Sequence, residues 1–153
     1  MDATVPRRPD VALEELSAAL WHVRRLLDLL RFRLEEERLL ARAGGQRWLP
    51  TARREVEQVQ DRLRLAELVR AVSSEAVGVA LGVASPATLP QLARAVADPW
   101  SQILDAHLEA LQEAVASITA LADSNRRWAE ETGGEAPPVV RIGPSLRDFV
   151  EAG

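Results

Sequence analysis

The stretch LEELSAALWHVRRLLDLLRFRL, Leu13 to Leu34, places Leu13, Leu16, Leu20, Val23, Leu27, Leu30 and Leu34 at alternating steps of three and four residues. That rhythm returns an apolar side chain to one side of a helix at every turn and defines a seam that packs along a second helix. Upstream, Pro9-Asp10 offers a start, with Asp10 as the expected cap and Glu14 and Glu15 near the positive helix end. Downstream nothing breaks the pattern before Gly44-Gly45, a glycine stop. Thirty-odd residues at ~1.5 Å each make a rod of roughly 50 Å, which needs a partner of similar length.

The partner follows directly. Pro50-Thr51 restarts the chain with Thr51 as the expected cap, and Leu49, Ala52, Val56, Val59, Leu63 and Ala66 form a matching seam. The short GGQRWLP connection folds this helix back against the first as an αα-hairpin. Beyond Leu63 the large apolar residues drift to Leu65, Leu68, Val69, Val72 and Ala76, so the second helix is expected to bend or change partner near Leu65. Gly78, Gly82 and Pro86 mark a loop over 78–87, and a short helix is predicted over 89–97 with Thr88 as its cap. Asp98-Pro99 opens a third long helix, with Asp98 capping, whose seam runs through Leu104, Leu108, Leu111, Val115, Ile118, Ala122 and Asn125 to about Glu131.

The remainder, EAPPVVRIGPSLRDFVEAG, is too rich in Pro and Gly for a long helix. The expected fold is all-α: an antiparallel helical bundle of three long helices plus one short helix, with a mobile C-terminal tail. Residues 1–9 form an N-terminal tail, 10–132 the bundle and 133–153 the flexible C-terminal tail.

Composition restricts the function. The 153 residues are 47% hydrophobic and 27% charged, and contain no cysteine, which excludes disulfides and thiolate metal sites. Net charge is −4, and the nineteen cations, all arginine, alternate with Glu and Asp along the helices. That is a solvated, ion-paired surface rather than the basic face of a nucleic-acid binder. No apolar run approaches twenty residues, and Met1 to Pro6 lack a signal-peptide pattern. The expectation is a cytoplasmic protein that does not insert in a membrane.

No catalytic constellation emerges. His22 and His107 flank the seams and read as partly exposed surface residues, without metal-ligand spacing. Glu35-Glu36-Glu37 lacks the Glu-x-x-His pairs of a di-iron bundle, and Glu37 reads as fraying of the core near the hairpin tip. No glycine arrangement cradles a phosphate, so neither enzyme activity nor a metal or cofactor is expected.

Two features point to binding. On the first helix Trp21, Leu29, Phe32 and Leu39 fall within roughly 80° of one another, almost opposite the main seam. Either the second and third helices cover both faces, or part of this second face receives a partner segment. Asn125 stands where the third seam turns polar, beside Trp128. A buried amide there sets helix register. The same position next to a tryptophan and an apolar tail also suits a binding end.

With these elements laid out, the chain resembles the FlgN family of flagellar export chaperones from Leu13 to Trp128. The likeness is carried by LEELSAALWHVRRLLDLLRFRLEEERLLARAGG and its hairpin partner, AELVRAV leading to ALG, TLPQLA, and a last seam ending at SNRRW. Glu67, Arg70, Leu81, Gly82, Thr88, Leu89, Leu92 and Asn125 are the positions that fit. The resemblance implies a cytoplasmic chaperone that holds the C-terminal helical segments of the hook–filament junction proteins FlgK and FlgL. It would keep them unassembled and deliver them to the export gate, a further partner. Recognition would be helix-in-groove. By position, Asn125, Trp128, Val139, Val140, Ile142, Leu146 and Phe149 would contact the client, with Trp21, Leu29, Phe32 and Leu39 as a second apolar surface. The alternative is a structural or signalling bundle that forms a homodimer through the Trp21–Phe32 face.

Overall fold

The computed structural model describes residues 8–151. The N-terminal tail expected over residues 1–9 therefore lies, but for its last two residues, outside the described range. Among the described residues there are five helices and no strand: α1 (Pro9–Arg42), α2 (Leu49–Leu81), α3 (Leu89–Arg94), α4 (Trp100–Thr132) and α5 (Pro144–Val150). The all-α class follows from the three long apolar seams, each realised as a helix of 33 or 34 residues.

α1 packs against both α2 and α4. Its seam, Leu13 through Leu34, is buried throughout, because it faces α2 on one flank and α4 on the other. Contacts between α1 and α2 run in opposite chain order: Arg33 pairs with Glu55 and Glu37 with Arg53. Those between α1 and α4 ascend together, from Ser17 with His107 to Leu34 with Asn125. On α4 the buried line is Leu104, His107, Leu111, Ala114, Ile118, Asn125 and Ala129, rotated from the expected one, so Leu108 and Val115 are only partly covered.

The helix ends differ in detail from expectation. Arg8, not Asp10, takes the N-cap position of α1, with proline in the first turn and Asp10 just inside it. α2 begins at Leu49 with Trp48 at its N-cap, which puts Thr51 inside the helix. Pro99, not Asp98, precedes α4, and Asp98 accepts a bond from Gln102 Nε2 instead. In each case proline's fixed φ places it at the start of the helix and displaces the polar residue from the cap. Thr88 does cap α3, in a reciprocal capping box with Gln91, although α3 ends at Arg94 rather than Ala97. Gly82 and Gly133 end α2 and α4 with φ of 70° and 68°, a backbone region that glycine enters without a Cβ clash.

Two larger expectations are overturned. α2 continues unbroken through Leu65 and Gly78 to Leu81. Its buried side also holds its course, through Ala66, Arg70, Ser74, Val77 and Gly78, while the larger aliphatics point outward. The C-terminal tail is not left loose in this structure. The segment after Gly134 returns along α2, and α5 docks on α2, α3 and α4 with Ile142, Leu146, Phe149 and Val150 in the core. Of the short apolar clusters Val139-Val140-Ile142 and Leu146-Phe149-Val150, Ile142 and the whole of the second fill this space, while Val139 stays exposed.

Polar contacts fix the returning segment. Arg53 Nη2 donates to the Glu135 carbonyl at 3.0 Å, and the Arg141 amide donates to Gln60 Oε1 at 3.0 Å. Arg70 Nη2 donates to Ser145 Oγ at 2.9 Å, and Gln112 Nε2 of α4 donates to the Val150 carbonyl at 2.8 Å. Arg70 is buried, paired with Glu67 at 2.9 Å, and its guanidinium lies 4.1 Å from the Phe149 ring centre. That stacking explains why a seam position holds arginine: the planar cation has an aromatic face above it and a carboxylate beside it.

Candidate functional site

Three polar or aromatic groupings stand apart from the core, and each has its own geometry. The first is at the start of the α1–α4 contact. His107, expected at the surface, is buried at 1% exposure because the α4 seam is rotated toward it. Arg24 Nη1 lies 3.2 Å from its Nδ1 and Ser17 Oγ 3.0 Å from its Nε2. A guanidinium only donates, so Nδ1 accepts and the ring proton sits on Nε2, which donates to Ser17. In that tautomer the imidazole cannot take a proton from Ser17, and the pair is not poised as a nucleophile and base.

Burial, reinforced by the Arg24 charge, lowers the His107 pKa from its usual 6.5 to about 4. The neutral ring therefore contributes stability above pH 6.5 that is lost as pH falls from 6.5 toward 4, since only the unfolded chain binds the proton readily in that window. The expected loss is about 2–3 kcal/mol. Urea unfolding at pH 7.0 and 4.5 measures it, and a His107→Gln variant should show a correspondingly smaller difference between the two pH values.

The second grouping is at the opposite end of α1. Asn125, on the α4 seam, is buried, and its Nδ2 donates to the Leu34 carbonyl at 3.1 Å and to Glu37 Oε2 at 3.4 Å. Glu37 is also buried and accepts from Arg53 Nε at 3.3 Å, so it is a partner in a polar layer and not a frayed end. Burial raises its carboxyl pKa, and Arg53 and Asn125 oppose that rise. One layer thus ties α1, α2, α4 and the start of the returning segment. It leaves a cleft of only about 110 Å³ beside Trp128. Trp128 is half-buried and stacks on Arg42, 4.8 Å from its ring centre.

The third grouping is the outward face of α1. Trp21, Phe32 and Leu39 are 47%, 59% and 57% exposed, while Leu29 is half-buried against the core. The two flanking helices cover the seam but not this line. The Arg24 guanidinium lies 3.9 Å above the Trp21 ring, whose edge meets His107 at 5.2 Å between centres. Trp21 is thereby held in place with part of its surface open to solvent.

The structure does not gather the expected partner-binding residues into one place. Ile142, Leu146 and Phe149 are committed to the chain's own core, Val140 is half-buried and Val139 is exposed. Asn125 and Trp128 lie at the far end of α4, and Trp21, Phe32 and Leu39 run along α1. The sequence reading missed His107, Arg70 and Glu37 as buried polar groups. Signals existed for two of them: Glu37 continues the Leu30–Leu34 steps of the α1 seam, and Ala66, Arg70, Ser74 and Gly78 recur at steps of four on one side of α2. Every buried side-chain nitrogen and oxygen among the described residues has a hydrogen-bond partner.

Among the described residues no group of three His, Cys, Asp or Glu is placed to hold a metal ion. Within the same residues no helix is long and apolar enough to cross a membrane. No protein-family model, curated protein or solved structure matches the chain.

Proposed function

We propose that this chain is a cytoplasmic export chaperone of the FlgN type, an antiparallel bundle that holds helical C-terminal segments of FlgK and FlgL without catalysing a reaction. The observation that carries the reading is the uncovered line of Trp21, Phe32 and Leu39 along a helix whose other sides are packed. Large apolar side chains left in water on one side of a helix support its reading as an interaction surface. Trp and Arg, here stacked as Trp21 on Arg24, are the residue types that most often anchor interfaces. An amphipathic client helix laid along α1 would bury its apolar face on this line. Asn125 and its layer hold the far end in register, and Trp128 beside them extends the surface. The docked segment 135–150 completes the chaperone's own core in this reading, so the client site lies on α1.

Calorimetry with peptides from the C-terminal helical segments of FlgK and FlgL tests it. Binding to the intact chain is expected, and Trp21→Ala with Phe32→Ala should weaken it by about 2 kcal/mol or more, roughly thirtyfold. Absence of heat with both peptides, or affinity unchanged in the double variant, removes the proposal.

A further inference from the structure

Arg24 is half-buried beside Trp21, and its charge has no carboxylate to meet it. Every other arginine that is buried or half-buried among the described residues does have one. Arg31 pairs with Asp28, Arg33 with Glu55, Arg38 with Glu35, Arg53 with Glu37 and Arg70 with Glu67. Asp28 and Glu113, the acids on this side of the α1–α4 contact, are both taken by Arg31. What Arg24 has instead is a ring on each side of its role: Nη1 donates toward His107 Nδ1 at 3.2 Å, and the guanidinium lies 3.9 Å from the Trp21 ring centre.

These two contacts fix the plane of the guanidinium and leave one edge unused. Nε and Nη2 have no hydrogen-bond partner in the described chain, and neither is sealed from solvent. That edge carries two parallel N–H donors, the fork that a carboxylate accepts in a bidentate pair. A cation taken partly out of water without a counter-charge is unfavourable, and one already held in place loses little freedom on binding an anion.

We propose that Arg24 is the specificity-determining cation of the α1 surface, receiving a carboxylate of the bound helix beside the side chain that packs on Trp21. The inference rests on the reading of the α1 line as the client surface and adds what that surface selects. The occupant is an amphipathic helix with an apolar face for Trp21, Phe32 and Leu39 and an Asp or Glu one turn from the residue on Trp21. Three or four residues along a helix is the distance at which two side chains share one side. The indole and the guanidinium edge therefore read one apolar anchor and one acid together. His107 acts here as a positioning residue, because it accepts from Arg24 without neutralising it.

Two helical peptides with the same leucine face test this, one with glutamate and the other with glutamine a turn from each leucine. Calorimetry with the full chain is expected to show the glutamate peptide binding at least about tenfold more tightly, the range for a charge-assisted pair. Arg24→Gln should bring that ratio to about one. Arg24→Lys, which keeps the charge without the fork, should lower it. Arg141→Gln removes the same charge from an exposed position on the returning segment and should leave the ratio unchanged. Equal affinities on the wild-type chain, or no binding of either peptide, overturn the proposal. So does a ratio that survives both Arg24 variants, or one that falls as far in Arg141→Gln. If the glutamate peptide binds through Arg24 while the FlgK and FlgL segments do not bind, the acidic selectivity stands and the named clients fall. FlgK and FlgL segments that bind Arg24→Gln as tightly as wild type give the reverse result.

Discussion

Leu146→Ala should lower the stability of the protein by about 2–5 kcal/mol, the range for a buried leucine whose cavity does not collapse. Leu146 is fully buried at the junction of α5 with α2, α3 and α4, in the same apolar cluster as the α1 seam. The methyl groups removed would leave a void ringed by several elements, and such a site relaxes poorly. Asp148→Ala, on the exposed side of α5, provides the comparison and should stay within about 0.5 kcal/mol. Urea unfolding midpoints measure both. Equal midpoints for wild type and Leu146→Ala would mean that α5 contributes nothing to the fold, as a loose tail would. For the same reason, deletion from Gly134 onward removes core side chains and is not a clean test of binding.

The second large effect is expected at the polar layer. Arg53→Ala leaves the Glu37 carboxylate buried without its cation, and breaking a buried pair from one side costs about 3–5 kcal/mol. The sign of its pH dependence is distinctive. Burial already raises the Glu37 pKa, and without Arg53 it rises further. A folded-state carboxyl pKa above its unfolded value favours folding at low pH and penalises it as pH rises. The deficit of Arg53→Ala relative to wild type should therefore shrink as pH is lowered from 7 toward 5. The comparison at each pH cancels the opposite trend from His107. Arg53→Met with Glu37→Leu should recover most of the loss, since neither charge is then stranded. A single variant as stable as wild type would show that Glu37 is solvated and that the layer does not hold the helices.

How much of this was legible beforehand depended on the kind of signal. The three long helices were plain from Leu13–Leu34, Leu49–Ala66 and Leu104–Ile118, because a period of 3.6 held over about four to six turns is hard to produce otherwise. Thr88 was legible as a cap because Gln91 three residues later completes its box. The docked segment was not, because Val139-Val140-Ile142 and Leu146-Phe149-Val150 are too short to show a period. Their burial depends on a space between α2 and α4 that only the assembled helices create. Charged seam residues misled in the same way. Glu37 and Arg70 break local apolar patterning, and their partners, Arg53 and Phe149, are distant in sequence. For the candidate surface, the angular clustering of Trp21, Phe32 and Leu39 was visible, but whether α4 covered it was settled only by the rotation of α4.

On the proposed function, the outward line of α1 receives a helical client while the rest of the chain keeps its own core filled. The four tryptophans, at positions 21, 48, 100 and 128, report on it directly through their indole N–H resonances. On titration with a peptide from the FlgK C-terminal helical segment, the Trp21 signal is predicted to shift and the Trp100 signal, at the start of α4, to stay in place. A titration that moves no indole signal, or moves Trp48 and Trp100 while Trp21 stays fixed, would show that the client does not bind along α1.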